Sequence, residues 1–313
     1  MTSTVATPAT KGGRQAPETS DRAKAESRLA AKLVAPALVV MLVVTAFPIL
    51  RALWLSFYNY SLTAPEDKEF VGLSNYLTAL TDGLFWRDIG MTVIYMVVTV
   101  GVELVIGFIF AMVMHRVIFA RGVIRTSILI PYGIITVVSG FAWQFAFSNT
   151  NGFVNSWLPF VNADFNWFGQ YWSSMIAIMA SEIWKTTPFI SLLLLAGLAQ
   201  VPGELTEAAE VDGATWWQRM RRVIIPNMKA AIMVAVLFRA LDAFRIFDNV
   251  FIMTNGAYGT EVLSLLAYRT SITRLEIGMG SAVSVLLFVC VIIICFIAIK
   301  LFKVDLTGAR GGN

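Results

Sequence analysis

The chain has 313 residues, of which 57% are hydrophobic and 14% are charged, and its mean hydropathy is +0.71. These values lie far from the average of soluble proteins and argue against a soluble enzyme. The net charge is +4, but the basic residues follow the ends of apolar segments instead of forming one patch, which excludes a nucleic-acid partner. The composition therefore predicts a membrane protein in contact with lipid.

The first 29 residues are rich in Thr, Ala, Gly, Pro and charged side chains, with little to bury. They lack the short charged region followed by an apolar core that marks a cleavable signal. Such a composition is typical of disordered segments. We expect residues 1–29 to form a disordered cytoplasmic tail.

Six apolar segments follow, each long enough to cross a bilayer, which requires roughly 20 mostly apolar residues. They lie near residues 33–57, 89–114, 122–147, 173–199, 229–253 and 279–302. We therefore predict an all-α integral membrane protein with six transmembrane helices in residues 30–304. Residues 305–313 are expected to form a second cytoplasmic tail.

Positive residues near the ends of spans predict the orientation, because they stay on the cytoplasmic side. Lys and Arg concentrate in the first tail, between the second and third segments, between the fourth and fifth, and after the sixth. The alternate loops hold Lys68, Arg87, Arg269 and Arg274. We expect a multi-pass protein of the plasma membrane, with both termini and the loop at residues 202–227 in the cytoplasm.

Ionisable residues within the fourth segment indicate a cavity, because a charge in the membrane is costly unless it is paired or faces water. Glu182, Lys185, Thr186 and Phe189 recur at steps of three and four residues. This spacing places them on one helical face. We expect that face to line a polar cavity and not to contact lipid.

The fifth segment carries charges of alternating sign at intervals of three residues: Arg239, Asp242, Arg245 and Asp248. Three residues turn a helix by about 300°, so the four side chains cannot all line one pore. We interpret Arg239 and Asp242 as facing the cavity. For Arg245 and Asp248, a ladder of ion pairs with neighbouring residues remains the alternative.

The loop between the fourth and fifth segments has a distinctive pattern. Residues 207–212 are acidic and Ala-rich, which favours a helical turn, and Gly213 permits a backbone angle that other residues resist. Aromatic and basic residues follow at 216–222, before Pro226 interrupts regular hydrogen bonding. The pattern predicts an amphipathic interfacial surface, and a helix resting on lipid headgroups is the alternative.

This loop resembles the EAA loop of bacterial ABC-import permeases. In that family Glu-Ala-Ala is followed by three residues, Gly, nine residues and an aliphatic-x-aliphatic-Pro ending, and residues 207–226 have the same spacing. The resemblance implies the type I ABC-importer permease fold. It assigns coupling to a separate ATPase to Glu207, Ala208, Ala209, Asp212, Gly213 and Pro226.

The same resemblance implies partners and an energy source outside this chain. The expected partners are a second, homologous permease subunit, two copies of an ATPase subunit that bind ATP and Mg, and an extracytoplasmic sugar-binding lipoprotein. No cofactor is expected in this chain itself.

Two further stretches resemble the carbohydrate-import permeases of the maltose type: EIWKTTPFISLLLLAG at 182–197 and LFRALDAFRIFDNVFIMTNG at 237–256. RTSILIPYGIITVVSG, WKTTPFISLLLLAGLA and LDAFRIFDN are similar to the first permease subunits of actinobacterial trehalose-recycling importers. The resemblance implies trehalose as the solute. It places sugar contacts at Lys185, Thr186, Phe189, Arg239, Ala243 and Ile246, with Asp242 beside them. Lys185, Arg239 and Ile246 depart from the small or amide side chains of the family at those positions.

A sugar is recognised by hydroxyl-binding polar groups together with an aromatic face against the apolar side of the ring. Core packing also accounts for any one aromatic side chain in these segments. The candidates for the stacking role are Tyr132, Trp143, Phe189, Phe244 and Phe247.

No enzymatic chemistry is predicted. The sequence contains no Gly-x-x-x-x-Gly-Lys-Ser/Thr loop, no nucleophile elbow and no His-Glu-x-x-His pattern. His115, the single histidine, is interpreted as part of a solvated helix end. Cys290 and Cys295 lie about 140° apart around a helix, too far for a bridge within it. We expect neither a catalytic nor a metal site.

An ion-coupled secondary sugar transporter is the alternative function. Glu103, Glu182 and Asp242 would then carry protons, although a paired buried carboxylate is the competing interpretation of Glu103. Secondary transporters often have inverted internal repeats, and we find none in the sequence.

Overall fold

The computed structural model describes residues 21–117 and 119–302. The predicted tail at 305–313 and the first 20 residues of the predicted tail at 1–29 lie outside these ranges. The chain divides into two compact units between Arg51 and Ala52. Helix α1 runs from Asp21 to Leu55, so it begins inside the stretch predicted as a tail, and its portion Arg28–Leu55 is long and apolar enough to cross a membrane.

A β-hairpin and a short helix precede the second long helix. Strands β1 (Tyr58–Ser61) and β2 (Ala64–Phe70) pair antiparallel, with Tyr58 opposite Phe70. Helix α2 spans Ser74–Thr81. This hairpin lies in a predicted loop between the first and second apolar segments. Within the described ranges, it is the part of the fold that departs from the all-α prediction. The all-α prediction is otherwise confirmed.

Three more helices have the length and apolarity of membrane spans. They are α3 (Gly83–Arg116), α7 (Tyr171–Leu198) and α14 (Ile277–Phe302). The third predicted segment is instead two helices, α4 (Arg121–Gly133) and α5 (Thr136–Ala146), which meet at 89°. The backbone is extended at the residues between them, Ile134 and Ile135.

The fifth predicted segment is also interrupted. Helix α11 covers Lys229–Ala243 and ends where a turn replaces helical structure at 244–247. The helical stretch Trp216–Asn227 before it is bent by 70° relative to α11. The described chain therefore has four helices able to cross a membrane, or six when each bent pair counts as one span. The side on which each terminus lies stays a prediction.

Short elements connect the long helices. They are α6 (Val154–Trp157), a 3₁₀ turn (Trp167–Gly169), α8 (Gly203–Val211), α9 (Trp216–Arg219), a π-helical turn (Met220–Ile224), α10 (Ile225–Asn227), α12 (Asp248–Met253), a 3₁₀ turn (Ala257–Gly259), α13 (Leu263–Tyr268) and a second π-helical turn (Arg269–Thr273).

Helices α3 and α7 pack closely at the centre of the second unit. A Cβ atom on Gly107 of α3 would lie 2.8 Å from the Cγ2 atom of Ile190 on α7, so this approach requires glycine. Ile190 and Leu194 are fully buried with Ala111 and Ala235 in one apolar cluster. Tight packing here holds the polar face of α7 against α3 and α11.

Cys290 and Cys295 are free thiols, both partly exposed on α14.

Candidate functional site

A buried cluster of charges joins three helices around Arg239. Its side chain is 1% exposed. The Nε atom donates to Glu103 Oε2 on α3 at 2.6 Å, and Nη2 donates to Glu103 Oε1 at 3.0 Å and to Glu182 Oε1 on α7 at 2.6 Å. Nη1 donates to Asp242 Oδ2, one turn along α11, at 2.5 Å. One guanidinium group therefore binds three carboxylates.

Two neutral side chains complete this Arg239 cluster. The hydroxyl of Thr186 lies 2.7 Å from Glu103 Oε1 and 2.7 Å from the carbonyl oxygen of Glu182, and it can donate to either. Asn249 Nδ2 donates to Glu182 Oε2 at 2.5 Å, which brings α12 into the cluster. Asn249 is 1% exposed, and its Oδ1 atom is buried without a hydrogen-bond partner.

The contacts of this cluster bear on whether Glu103 is a proton carrier or a paired buried carboxylate. Its carboxylate is fully buried and paired with Arg239, as the paired-carboxylate interpretation predicts. A buried ion pair is tolerated only when hydrogen bonds satisfy both partners, and removal of one partner leaves an uncompensated charge. Arg239 therefore has a structural role that its sequence context did not indicate.

Two cavities lie beside this cluster. The larger has a volume of about 470 Å³, and its walls include four of the predicted sugar contacts, Lys185, Thr186, Asp242 and Ile246. The smaller, of about 360 Å³, is lined by four, Thr186, Phe189, Arg239 and Asp242. The seventh predicted contact, Ala243, is buried and lines neither cavity.

Asp242 and the aromatic pair Tyr132 and Phe189 are well placed to contact a solute in these cavities. The Asp242 side chain is 65% exposed, and Arg239 binds only its Oδ2 atom. The rings of Tyr132 and Phe189 stack with their centroids 5.6 Å apart and their planes at 19°. Tyr132 lines both cavities and Phe189 the smaller one. These three side chains supply an open carboxylate oxygen beside a flat apolar surface.

The other aromatic candidates differ in their surroundings. Phe244 is 1% exposed and packs in an apolar cluster, and Trp143 packs against Phe147 and Trp184. Phe247 lines the larger cavity and stacks on Phe251. Core packing is therefore the structural role of Phe244, whereas Tyr132, Phe189 and Phe247 reach a cavity.

Lys185 makes a contact that the sequence did not suggest. Its Nζ atom donates to the carbonyl oxygen of Ile134, at the break between α4 and α5, at 2.5 Å. The side chain is 8% exposed and also lines the larger cavity. Thus Lys185 links the polar face of α7 to the break between α4 and α5.

The predicted ladder of ion pairs does not extend along α11. Arg245 Nε donates to the carbonyl oxygen of Leu241 at 3.2 Å. Among the residues that the structure describes, no ion pair connects Arg245 with Asp248, and both line the larger cavity. Within the same ranges, no three His, Cys, Asp or Glu side chains come together as metal ligands would.

The loop between α7 and α11 has the predicted turn at Gly213. Helix α8 contains no buried residue and ends in backbone hydrogen bonds from Asp212, Gly213 and Ala214 to α8 carbonyl oxygens. Gly213 has φ of +76°, and a Cβ atom there would meet nothing within 4 Å. The backbone angle, and not crowding, therefore requires glycine at this position.

The second half of this loop is organised by side chains. Thr215 and Gln218 form a reciprocal capping box at the start of α9. Arg219 forms an ion pair with Glu210 of α8, so the two halves of the loop are connected. Pro226 lies in α10 after a π-helical turn, which agrees with the predicted interruption of regular hydrogen bonding. The predicted coupling residues are exposed, apart from the half-buried Ala209.

The described chain combines helices able to cross a membrane, polar cavities beside the Arg239 cluster and an exposed acidic turn between α7 and α11. The profile of the family "Binding-protein-dependent transport system inner membrane component" matches residues 103–303. The chain belongs to this family. It is a permease subunit and a multi-pass protein of the plasma membrane.

Curated relatives cover nearly the whole chain. The trehalose transport system permease protein SugA of Mycobacterium tuberculosis (strain H37Rv) is 48% identical over 289 residues, which are 92% of each chain. The trehalose/maltose transport system permease protein MalF of Thermococcus litoralis is 36% identical over 278 residues, 88% of this chain and 94% of the relative.

Solved structures have the same fold. A bacterial ABC transporter involved in the import of the acidic polysaccharide alginate has a TM-score of 0.75 at 21% identity, over 90% of this chain and 96% of that one. The alginate transporter in complex with its alginate pentasaccharide-bound periplasmic protein has a TM-score of 0.78 at 19% identity, over 95% and 100%. The predicted permease fold is confirmed.

Proposed function

We propose that this chain is a permease subunit of an ATP-driven importer that moves a disaccharide, trehalose, into the cytoplasm. The observation that carries the proposal is the combination of the Tyr132–Phe189 stack with the open carboxylate of Asp242 in one small cavity. The 48% identity to a relative named as a trehalose permease supports the choice of solute.

The cavity chemistry suits a neutral sugar. Carbohydrates bind where an aromatic face packs against the apolar side of the ring and a few polar groups bind the hydroxyls. Phe189 and Tyr132 would provide the face, and Asp242 Oδ1 would accept a sugar hydroxyl. Lys185 and Thr186, at the cavity wall, are further hydroxyl partners. Ile246 would pack against the sugar, and Arg239, at the wall of the smaller cavity, would hold Asp242 in place, whereas buried Ala243 would act from behind the wall.

ATP hydrolysis would be supplied by partner subunits. Two ATPase copies, which bind ATP and Mg, would dock on Glu207, Ala208, Ala209, Asp212, Gly213 and Pro226. A second, homologous permease would complete the pathway, and an extracytoplasmic sugar-binding lipoprotein would deliver the solute. The exposure of Glu207, Ala208 and Asp212 before Gly213 supports this assignment, because exposed side chains are accessible to a partner.

The mechanism we infer is alternating access. The loaded binding protein docks on the outer loops, and ATP binding closes the ATPase dimer. The loop at 202–227 then carries this motion to the spans, so that the cavity faces outward. ATP hydrolysis returns the cavity to the cytoplasmic side, where the sugar leaves.

Radiolabelled trehalose uptake tests the proposal. The chain would be reconstituted in proteoliposomes with its partner subunits, with ATP inside the vesicles or with an imposed proton gradient and no ATP. We expect uptake with ATP alone, and its loss with an ATPase subunit that cannot hydrolyse ATP. Gradient-driven uptake by this chain alone would establish the ion-coupled alternative, against which the pairing of Glu103 and Glu182 with Arg239 already counts.

A further inference from the structure

The break between α4 and α5 leaves backbone groups that need partners. Helix α4 ends at Gly133 and α5 begins at Thr136, with extended backbone at Ile134 (φ −78°, ψ 136°) and Ile135 (φ −59°, ψ 132°). Carbonyl groups at a helix C-terminus lack helical donors, and an unsatisfied one is costly in a membrane. The carbonyl of Ile135 accepts from the N–H of Ser139 in the first turn of α5.

The carbonyl of Ile134 has a donor from another helix. Lys185 Nζ on α7 donates to it at 2.5 Å. A positive charge at a helix C-terminus is favourable, because the aligned peptide dipoles place partial negative charge there. The Lys185 ammonium thus supplies both a hydrogen bond and a complementary charge to the end of α4.

The same ammonium group lies at the wall of the larger cavity. That cavity is also lined by Tyr132 from α4 and Thr136 from α5, one residue on each side of the break. An ammonium group has three N–H donors, and Ile134 uses one of them. A sugar hydroxyl in the cavity would therefore share, or compete for, the group that holds the break.

We propose that Lys185 is a positioning residue that fixes the 89° bend of the third span and transmits occupation of the cavity to α4 and α5. This inference rests on the proposed sugar-import function. With the cavity empty, Lys185 holds α4 through Ile134. With sugar present, the ammonium turns toward the solute, and the break is released to change its angle during transport.

The bend can be measured across the break by pulsed electron spin resonance on the assembled transporter. Spin labels would replace Val123 on α4 and Phe145 on α5, both of which are exposed. Without sugar, we expect one narrow distribution of the distance between the two labels. This should hold both in the labelled chain that keeps Lys185 and in the labelled Lys185→Arg variant. Lys185→Met and Lys185→Gln should broaden it, because each removes the positive charge and its hydrogen bond.

Thr187→Val is the matched control. Thr187 is 2% exposed on the same helix, and its hydroxyl donates to Ile183 within that helix, so its loss should leave the distribution narrow. Two neutral variants are included so that a failure of one to assemble leaves the other as the test. An unchanged narrow distribution in the neutral variant that assembles would overturn the proposal.

A second readout separates positioning from packing. In the complete transporter, the loaded binding protein should shift the distance distribution of the unchanged chain and stimulate ATP hydrolysis. In the neutral variants, we expect the ratio of stimulated to basal hydrolysis to fall about tenfold, the effect of one lost charge-assisted hydrogen bond. Lys185→Arg should recover most of it. Full stimulation in a neutral variant would disprove the coupling role.

The two proposals fail in different ways. If the unchanged transporter does not take up trehalose with ATP, the proposed function is wrong. The distance distributions recorded without sugar still decide whether Lys185 holds the bend, because they need no transport. Normal uptake together with an unaltered bend in the neutral variants would remove this inference alone.

Discussion

Arg239, Glu103 and Glu182 are buried and paired beside the two cavities, whereas most charged side chains of the predicted coupling loop, residues 202–227, are exposed. Arg239 is 1% exposed and binds three carboxylates, two of them on other helices. In the loop, Glu207 and Asp212 are exposed, and the ion pair of Arg219 with Glu210 lies at the surface. The two regions belong to the same chain, but their charges meet different surroundings.

This difference in burial indicates which charged residues are available to bind a solute or a partner subunit. Around Arg239, low polarity makes an unpaired charge costly, so the charged groups bind one another and hold the helices in register. In the predicted coupling loop, Glu207 and Asp212 are exposed to solvent, where a charge is not costly and can meet a partner. Asp242 combines both conditions, because one carboxylate oxygen is bound by Arg239 and the side chain is mostly exposed.

Replacement of Arg239 should have the largest effect. Arg239→Ala leaves Glu103 and Glu182 buried without a counter-charge, which costs about 3–5 kcal/mol of stability. We expect loss of the monodisperse peak in size-exclusion chromatography and a lower midpoint of thermal unfolding. Arg245→Ala is the control, because Arg245 is exposed and, within residues 21–117 and 119–302, its side chain donates only to the backbone carbonyl of Leu241. An Arg239→Ala protein as stable as this control would contradict the paired cluster.

Substitutions of Gly213 test the backbone conformation of the loop, because a side chain at this position would contact no neighbouring atom. Gly213→Val introduces a β-branched residue at φ +76°, which costs roughly 1–2 kcal/mol and distorts the turn. We expect the sugar-stimulated ATPase rate of the assembled transporter to fall about tenfold, with membrane insertion retained. Gly213→Pro should act in the same way, since its ring excludes positive φ.

Gly213→Asn is the matched variant for this turn. Asn tolerates the left-handed conformation better than other side chains, and a Cβ atom meets no neighbour at this position. Its stimulated rate should remain near that of the unchanged chain. If Val and Asn behave alike, the positive φ is not what the coupling loop requires.

Asp242 should affect affinity more than assembly. Asp242→Asn keeps the side-chain shape but would weaken the proposed hydrogen bond to a sugar hydroxyl, and a hydrogen bond to a charged group contributes about 1.5–3 kcal/mol. We expect KM for trehalose uptake to rise about tenfold with little change in the amount of assembled transporter. Asp248→Asn, in the same larger cavity, is the control. An unchanged KM would remove Asp242 from the sugar site.

The surface ion pair should have the smallest effect. Glu210→Ala breaks the contact with Arg219 where the Glu210 side chain is 68% exposed, and exposed pairs contribute about 0–1 kcal/mol. We expect the stimulated ATPase rate to change by less than about threefold. A loss as large as that of Gly213→Val would mean that Glu210 contacts the ATPase directly.

Local patterns were sufficient for much of the fold. The apolar runs predicted α3, α7 and α14, because hydrophobic length is a property of consecutive residues. The spacing of Glu182, Lys185 and Thr186 predicted a shared polar face, and all three line the larger cavity. Gly213 indicated the turn of the coupling loop for the same local reason.

The breaks within the third and fifth segments were not evident from these patterns. Ile134 and Ile135 are apolar residues in an apolar run, so the sequence does not mark them as a break. Their extended backbone is stabilised by a contact from another helix, the hydrogen bond from Lys185 to the carbonyl oxygen of Ile134. Likewise, the sequence indicated that Arg239 faces a cavity, but not that its guanidinium group binds three carboxylates.

The sequence by itself determined that this protein is a helical membrane protein with a glycine-dependent turn between two of its apolar segments, because span length, helical spacing and the residues of a tight turn are properties of neighbouring positions. Only the tertiary structure decided which charged groups near the cavities form ion pairs with one another and which remain exposed to a solute. Glu103 and Arg239 are separated by 136 positions in the chain, and the pairing of their charges depends on how α3, α7 and α11 pack in space.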